Sequence, residues 1–222
     1  MATKKKGAGL LMVWCDVPPD KEPDFNRWYN EEHLAERLDV PGFLSAARYE
    51  AVKGGPKHLA VYEVESPAVL ESPAYKKVQA NPTPWTKRCS PDVIGTTFIR
   101  NIYTMIHPRA VRPAIGAAGM APALQLGRMD VPPAVDAEFN EWYNTTYVPN
   151  YEKVPGVIRG RRYRAVVGSP TYLTYYEFEH PKVSESAAWL AQRDAVPVSA
   201  RMREHMRHAA GSPGVYVKTF EL

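Results

Sequence analysis

The sequence predicts an α+β fold in which two β-α-β-β-α-β units share one barrel-like core, and three observations carry that prediction. The chain repeats itself, each repeat runs through strand-like and helix-like patterns in one order, and a single such unit would leave one sheet face bare. Shifting the 222-residue sequence by 114 positions lays Asp16-Val17-Pro18-Pro19 on Asp130-Val131-Pro132-Pro133, and Phe25-Asn26 on Phe139-Asn140. The same shift pairs Trp28-Tyr29-Asn30 with Trp142-Tyr143-Asn144, Val40-Pro41-Gly42 with Val154-Pro155-Gly156, and Arg48-Tyr49 with Arg162-Tyr163. Over residues 16–67, 23 of 52 positions are identical without a gap, which reads as a duplication.

Each element follows from its residues. Apolar runs at 9–17 and 123–131 predict strands, ended by Pro-Pro pairs that cannot continue a ladder. Residues 20–38 predict a helix, with Phe25, Trp28, Tyr29, Glu32 and Glu36 on one face at i, i+3, i+4, i+7 and i+11. Val40-Pro41-Gly42 closes it. Strands at 43–52 and 58–65 flank the Gly- and Pro-rich turn 53–57, a second helix is expected over 66–80, and each half ends in a strand, at 96–106 and 214–222. This order is the split βαβ, ferredoxin-like unit. The reading divides the chain into repeat one, 1–112, and repeat two, 113–222, joined through the Gly-, Ala- and Pro-rich stretch 107–122. Two sheets facing each other would cover both bare faces; the alternative is two independent tandem domains.

Composition excludes several classes. A net charge of +4, with basic residues scattered apart from 4–6 and 201–208, lacks the concentrated basic face of a nucleic-acid binder. It suits attraction of a small anion instead. No run approaches the roughly 20 apolar residues of a membrane span. The two cysteines, Cys15 and Cys89, have no metal-ligand spacing and fit a reducing, cytoplasmic compartment. No GxGxxG, Walker or GxSxG motif occurs, so no cofactor is expected.

The runs "DFNRWYNEEHLAERLDVPGFLSAARYEAV" (24–52) and "LAVYEVESPAVLESPAYKKV" (59–78) resemble the EthD-like branch of the dimeric α+β barrel superfamily, over most of the first repeat and more weakly over the second. Members mostly build the barrel from two chains. The resemblance therefore implies an intramolecular dimeric α+β barrel here, compatible with a homodimer of such pseudo-dimers. Its relatives range over muconolactone isomerases, polyketide cyclases, cofactor-free monooxygenases, haem-handling proteins and accessory proteins, so the chemistry must come from the site.

The repeats differ where chemistry is plausible. Trp-Tyr-Asn recurs, as shared packing requires, whereas Glu31, Glu32 and His33 are replaced by Thr145, Thr146 and Tyr147. His33 is the candidate general acid or base, with Glu32 and Tyr29 beside it to fix its tautomer; the competing reading is a hydrogen-bonded packing histidine. Arg48 and Arg162, each in an otherwise apolar strand, could grip a substrate carboxylate or pair with Glu63 and Glu177. Asn30 and Asn144 could orient a carbonyl or brace the helix end. Trp28, Tyr143 and Tyr147 complete the expected substrate-binding set, for a flat aromatic or unsaturated carboxylate. The candidate function is cofactor-independent aromatic catabolism by His33-mediated proton transfer: isomerisation of a dienoate or lactone, or hydrolysis of a small ester. The alternative is a ligand- or haem-binding accessory protein. Cys15 reads as a core residue, and His205 with His208 as a weak metal pair on a basic segment.

Overall fold

The computed structural model describes residues 4–193 and 195–222. The first segment runs β1 (Gly9–Asp16), α1 (Glu22–Trp28), a π-helical turn (Tyr29–His33), α2 (Leu34–Leu38), β2 (Phe43–Lys53) and β3 (His58–Val64). A 3₁₀ turn (Pro67–Glu71), α3 (Pro73–Ala80), α4 (Pro84–Cys89), α5 (Pro91–Ile94) and β4 (Thr97–His107) follow. After α6 (Pro113–Gly116) comes β5 (Ala123–Asp130), a 3₁₀ turn (Pro133–Val135), α7 (Asp136–Trp142), a second π-helical turn (Tyr143–Tyr147) and α8 (Val148–Tyr151). The chain then makes β6 (Val157–Val167), β7 (Tyr172–Phe178), a 3₁₀ turn (Pro181–Glu185), α9 (Ala187–Gln192), α10 (Pro197–Glu204), a two-residue strand β8 (Arg207–His208) and β9 (Gly214–Glu221). Among the described residues, no helix is long and apolar enough to cross a membrane.

Eight strands close a ring in the order β1-β3-β2-β9-β5-β7-β6-β4, with β8 attached to β5 outside it. Every ladder is antiparallel. Two of these ladders, β2 with β9 and β4 with β6, join the halves. Neither half is a free-standing domain. Strand periodicity sorts the side chains: Leu10, Met12 and Trp14 of β1 fill the barrel with Tyr49, Tyr103, Tyr163, Tyr175 and Tyr216, whereas Leu11, Val13 and Cys15 lie in the separate core beneath α1 to α4. A third core, beneath α7 to α10, is built on Phe139, Trp142, Tyr143, Tyr176 and Trp189.

Two expectations need correction here. The second helix is two pieces, because Ser72 is extended at φ −64° and ψ 148° and caps Tyr75 N–H with its hydroxyl, starting α3 afresh. The helices α4 and α5, in Pro- and Thr-punctuated sequence, were not anticipated. The basic segment is also broken: His205 caps α10 and His208 lies on β8 opposite Met129, so the two do not share a helix face.

The interior is not wholly apolar. Lys6, Glu63, Arg161 and Glu177 are all essentially inaccessible. Arg161 Nη2 donates to Glu63 Oε1 at 2.6 Å and Glu177 Oε1 at 2.7 Å, and Lys6 Nζ lies 3.6 and 3.4 Å from the same oxygens. This knot takes the carboxylates once weighed as partners of Arg48 and Arg162.

Candidate functional site

The helices of each half lie on the outer face of the barrel wall, and each half forms an open-mouthed cavity between helix and sheet. The first, about 360 Å3, is lined by Trp28, Tyr29, His33, Glu36, Arg37, Tyr62 and Tyr75 over a floor of Leu11 and Val13. The second, about 410 Å3, is lined by Tyr143, Tyr147, Tyr151, Tyr176 and Trp189 over Gln125, Gly127 and Thr174.

The π-helical turn decides what reaches the first cavity. Leu34 N–H bonds to Tyr29 C=O, five residues back, which inserts one residue into the α ladder and sets everything after it back by about 100° around the axis. The buried face of the helix is therefore Phe25, Trp28, Tyr29, His33, Leu34 and Arg37. The uninterrupted face that sequence spacing predicts, with Glu32 and Glu36, is not the one formed. Glu32 turns sideways: its Oε1 accepts from Thr83 Oγ1 at 2.6 Å and Thr86 Oγ1 at 3.3 Å, tying the turn to α4 outside the cavity lining.

His33 sits in an aromatic cage, its ring 4.3 Å from Trp28 and 5.1 Å from Tyr29 between centroids. Its Nδ1 is 3.7 Å from Glu36 Oε2, which is itself 3.7 Å from Arg37 Nη1; all three atoms are buried without a hydrogen-bond partner. Burial, followed by the charge of Arg37, holds the imidazole pKa well below its usual value. Burial raises that of Glu36. Burial also pushes the Tyr29 and Tyr62 phenols up, so both stay protonated. Arg37 stacks 5.5 Å from the Tyr75 ring, and Arg100 Nη2 donates to Tyr75 Oη at 3.2 Å. The cavity thus holds a neutral base, a carboxyl group, phenols and two guanidinium groups within aromatic walls.

Arg48 and Arg162 do not line either cavity. Arg48 donates from Nη2 to Asn26 Oδ1 at 2.6 Å and from Nη1 to Asn30 Oδ1 at 3.1 Å, with its guanidinium 4.8 Å from the Tyr29 ring. Arg162 repeats this on Asn140 at 3.0 Å, Asn144 at 2.7 Å and Tyr143 at 4.3 Å. Both arginines pin the helix to the sheet at its π turn, and Asn30 and Asn144 are the bracing groups. Burial lowers the pKa of Arg162 to about 10, which leaves it charged at neutral pH. Trp28 Nε1 is also anchored, donating to Thr86 Oγ1 at 3.1 Å, as Trp142 Nε1 donates to Ser199 Oγ at 3.2 Å.

The predicted residues therefore separate. Tyr29, Trp28 and His33 meet in the first cavity, Tyr143 and Tyr147 meet in the second, and Asn30, Arg48, Arg162 and Glu32 hold the frame. Sequence reasoning missed Glu36 as a polar partner of His33, and missed Arg37, Tyr62, Tyr75 and Arg100 altogether. Only Tyr62 left a signal, recurring as Tyr176 under the 114-residue shift. Cys15 is buried with its thiol pushed up to about 12 by desolvation, which suits a core residue.

No protein-family model matches this chain, and no curated protein sequence does so either. Solved structures do. An anthrone oxidase-like protein superposes with a TM-score of 0.63 at 16% identity, covering 100% of this chain and 95% of its own. A candidate monooxygenase from Fusobacterium nucleatum superposes at 0.60 and 12% identity, covering 97% and 94%. A heme-binding protein from Thermus thermophilus does so at 0.56 and 11%, covering 96% and 91%. At these identities the likeness carries the fold, an antiparallel eight-strand barrel of the dimeric α+β type folded from one chain.

Proposed function

We propose that the first cavity is the active site of an enzyme acting on a small flat aromatic or unsaturated compound with an acidic group, and that His33 moves a proton on it. One observation carries the reading: His33 Nδ1, Glu36 Oε2 and Arg37 Nη1 are buried in one aromatic-walled cavity without hydrogen-bond partners, at 3.7 Å from one another along the chain His33–Glu36–Arg37. Buried polar atoms are nearly always satisfied, so a ligand anion against Arg37 gives this group its missing partner. The same anion offsets the second cause of the depressed His33 pKa, the charge of Arg37, and so makes the imidazole a better base once the ligand is bound. With Nδ1 turned to Glu36, Nε2 is the nitrogen left to take the proton. The electron pair stays on the ligand as an enolate or phenolate, stabilised by the cation.

Such an anion leads to isomerisation if the proton returns elsewhere. Oxidation follows if the anion meets dioxygen, the direction suggested by the anthrone oxidase-like and monooxygenase neighbours. A second reading, haem held through His33, has a heme-binding neighbour behind it, and a Soret band from the purified protein would favour it over the acid–base reading. We read the two halves as products of one duplication in which only the first has a histidine, a glutamate and an arginine at positions 33, 36 and 37 and their matches. The 23 identities and the matched Arg–Asn pins support this.

The test is a screen of small aromatic and unsaturated carboxylates, phenols and enols, followed by ultraviolet absorbance with and without oxygen. His33→Gln is expected to abolish turnover while keeping binding, and Arg37→Met to weaken binding of anions. Full turnover by His33→Gln on the substrate so found overturns the assignment.

A further inference from the structure

The geometry points to a second, non-catalytic binding site in the other half, for a neutral flat ring bearing carbonyl oxygens. Its walls are a ladder of phenols. Tyr143 and Tyr147 rings are 4.7 Å apart, Tyr147 and Tyr151 are 4.6 Å apart, and Trp189 continues the run 4.2 Å from Tyr151. Tyr143, Tyr147 and Tyr151, at i, i+4 and i+8, fall on one side of the helix. Tyr176, 3% exposed, forms the inner wall 5.1 Å from Trp189, and its Oη is buried with no hydrogen-bond partner.

Chemistry selects the ligand class. Among the described residues lining this cavity there is no carboxylate, and the position of His33 is taken by Tyr147 and that of Glu36 by Asn150. Burial raises the phenols of Tyr143, Tyr147 and Tyr176, so they remain neutral hydrogen-bond donors throughout the physiological range. The floor also gains polarity: Gln125 and Thr174 stand where the first half has Leu11 and Ala60. Aromatic faces take a flat ring, and an unpartnered phenol at the base of the cavity takes an acceptor oxygen. A carbonyl-bearing ring such as a lactone or quinone meets both demands. Basic side chains, Lys53, Arg193, Arg203 and His208, also line the cavity. The imidazole–carboxyl pair of the first half has no counterpart at the matching positions, Tyr147 and Asn150. The inference stands independently of the function proposed for the first cavity.

Coumarin, a neutral flat lactone, is the probe, with binding followed by calorimetry on the full chain. Saturable binding is expected, weakened about five-fold by Tyr176→Phe, which keeps the ring and removes one hydroxyl. Trp189→Leu is expected to weaken it by more, about ten-fold, and Tyr62→Phe and His33→Gln to leave it within about two-fold. Thr174→Val, a smaller change on the floor, checks that any loss is not a folding failure, and thermal melts of each variant accompany the titrations. Absence of saturable binding, affinity unchanged in both Tyr176→Phe and Trp189→Leu, or affinity lost in Tyr62→Phe would each overturn the assignment.

Discussion

The two cavities are built on one frame and differ in what the frame presents. In both halves an arginine from the strand pins two asparagines of the helix, a tryptophan indole is tied to a hydroxyl on a later helix, and a π-helical turn begins at the tyrosine of Trp-Tyr-Asn. From the end of the turn onward the first half carries His33, Glu36 and Arg37, and the second carries Tyr147, Asn150 and Tyr151. A frame held by buried, fully engaged groups can tolerate such exchange, because the chemistry-bearing positions contribute little to holding it. Comparing the halves thus separates the shared frame from the residues proposed to react.

Exchange of residues between halves gives the largest expected effect. His33→Tyr, the second-half residue, is expected to lower turnover of the first site about 100-fold or more with little change in melting temperature. Tyr147→His alone is expected to create no activity, since Asn150 replaces the carboxyl that orients the imidazole; kinetics on both variants measures this. Next come the pins. Arg48→Met and Arg162→Met each strand two asparagine carbonyls beneath the helix and should cost about 3 kcal/mol, read from urea unfolding. A large disparity between the two would break the equivalence of the frames.

Acid sensitivity is a third, smaller distinction. Burial lowers the pKa of both His33 and His58, whereas the second half has Tyr147 and Tyr172 at those positions. An unfolded histidine takes up a proton below about pH 6.5 while the folded one resists. The unfolded state therefore binds more protons, and stability present above that pH is lost as it falls. His33→Gln with His58→Gln should flatten that loss in denaturation series between pH 7 and 5. His107 and His208, also depressed by burial, leave a residual slope from both halves. The smallest effect belongs to Glu32→Gln, which weakens the links to Thr83 and Thr86 by about 1 kcal/mol; Thr146→Ala at the matching position should stay within about 0.5 kcal/mol.

Much of the fold could be read from the residues, because strand alternation and Pro-Pro stops act locally. β1, β2, β3 and β4 begin within one residue of where apolar patterning put them. The site was harder to read, for a definite reason. A single π-helical turn, which i, i+3, i+4 spacing does not encode, moved His33 and Arg37 inward and Glu32 aside. Arg48 is ambiguous in the sequence because its partners, Asn26 and Asn30, lie on another element, and Glu63, the competing partner, is held instead by Lys6 and Arg161. Tyr143 and Tyr147 align with the residues of the first cavity yet face a different space, since each half lines its own side of the wall.

The closed ring also bears on how the chain comes together. β2 is complete at Lys53, yet its second neighbour is β9, which begins at Gly214, and β4 likewise waits for β6. During synthesis the first four strands therefore emerge as an open sheet with two bare edges, the kind of surface that recruits other chains. Lys6 lies beside Glu177, a residue made long after it. Contacts this distant in sequence favour slow closure, so the interval between the first sheet and its completion is when this molecule is most exposed to mispairing with its neighbours.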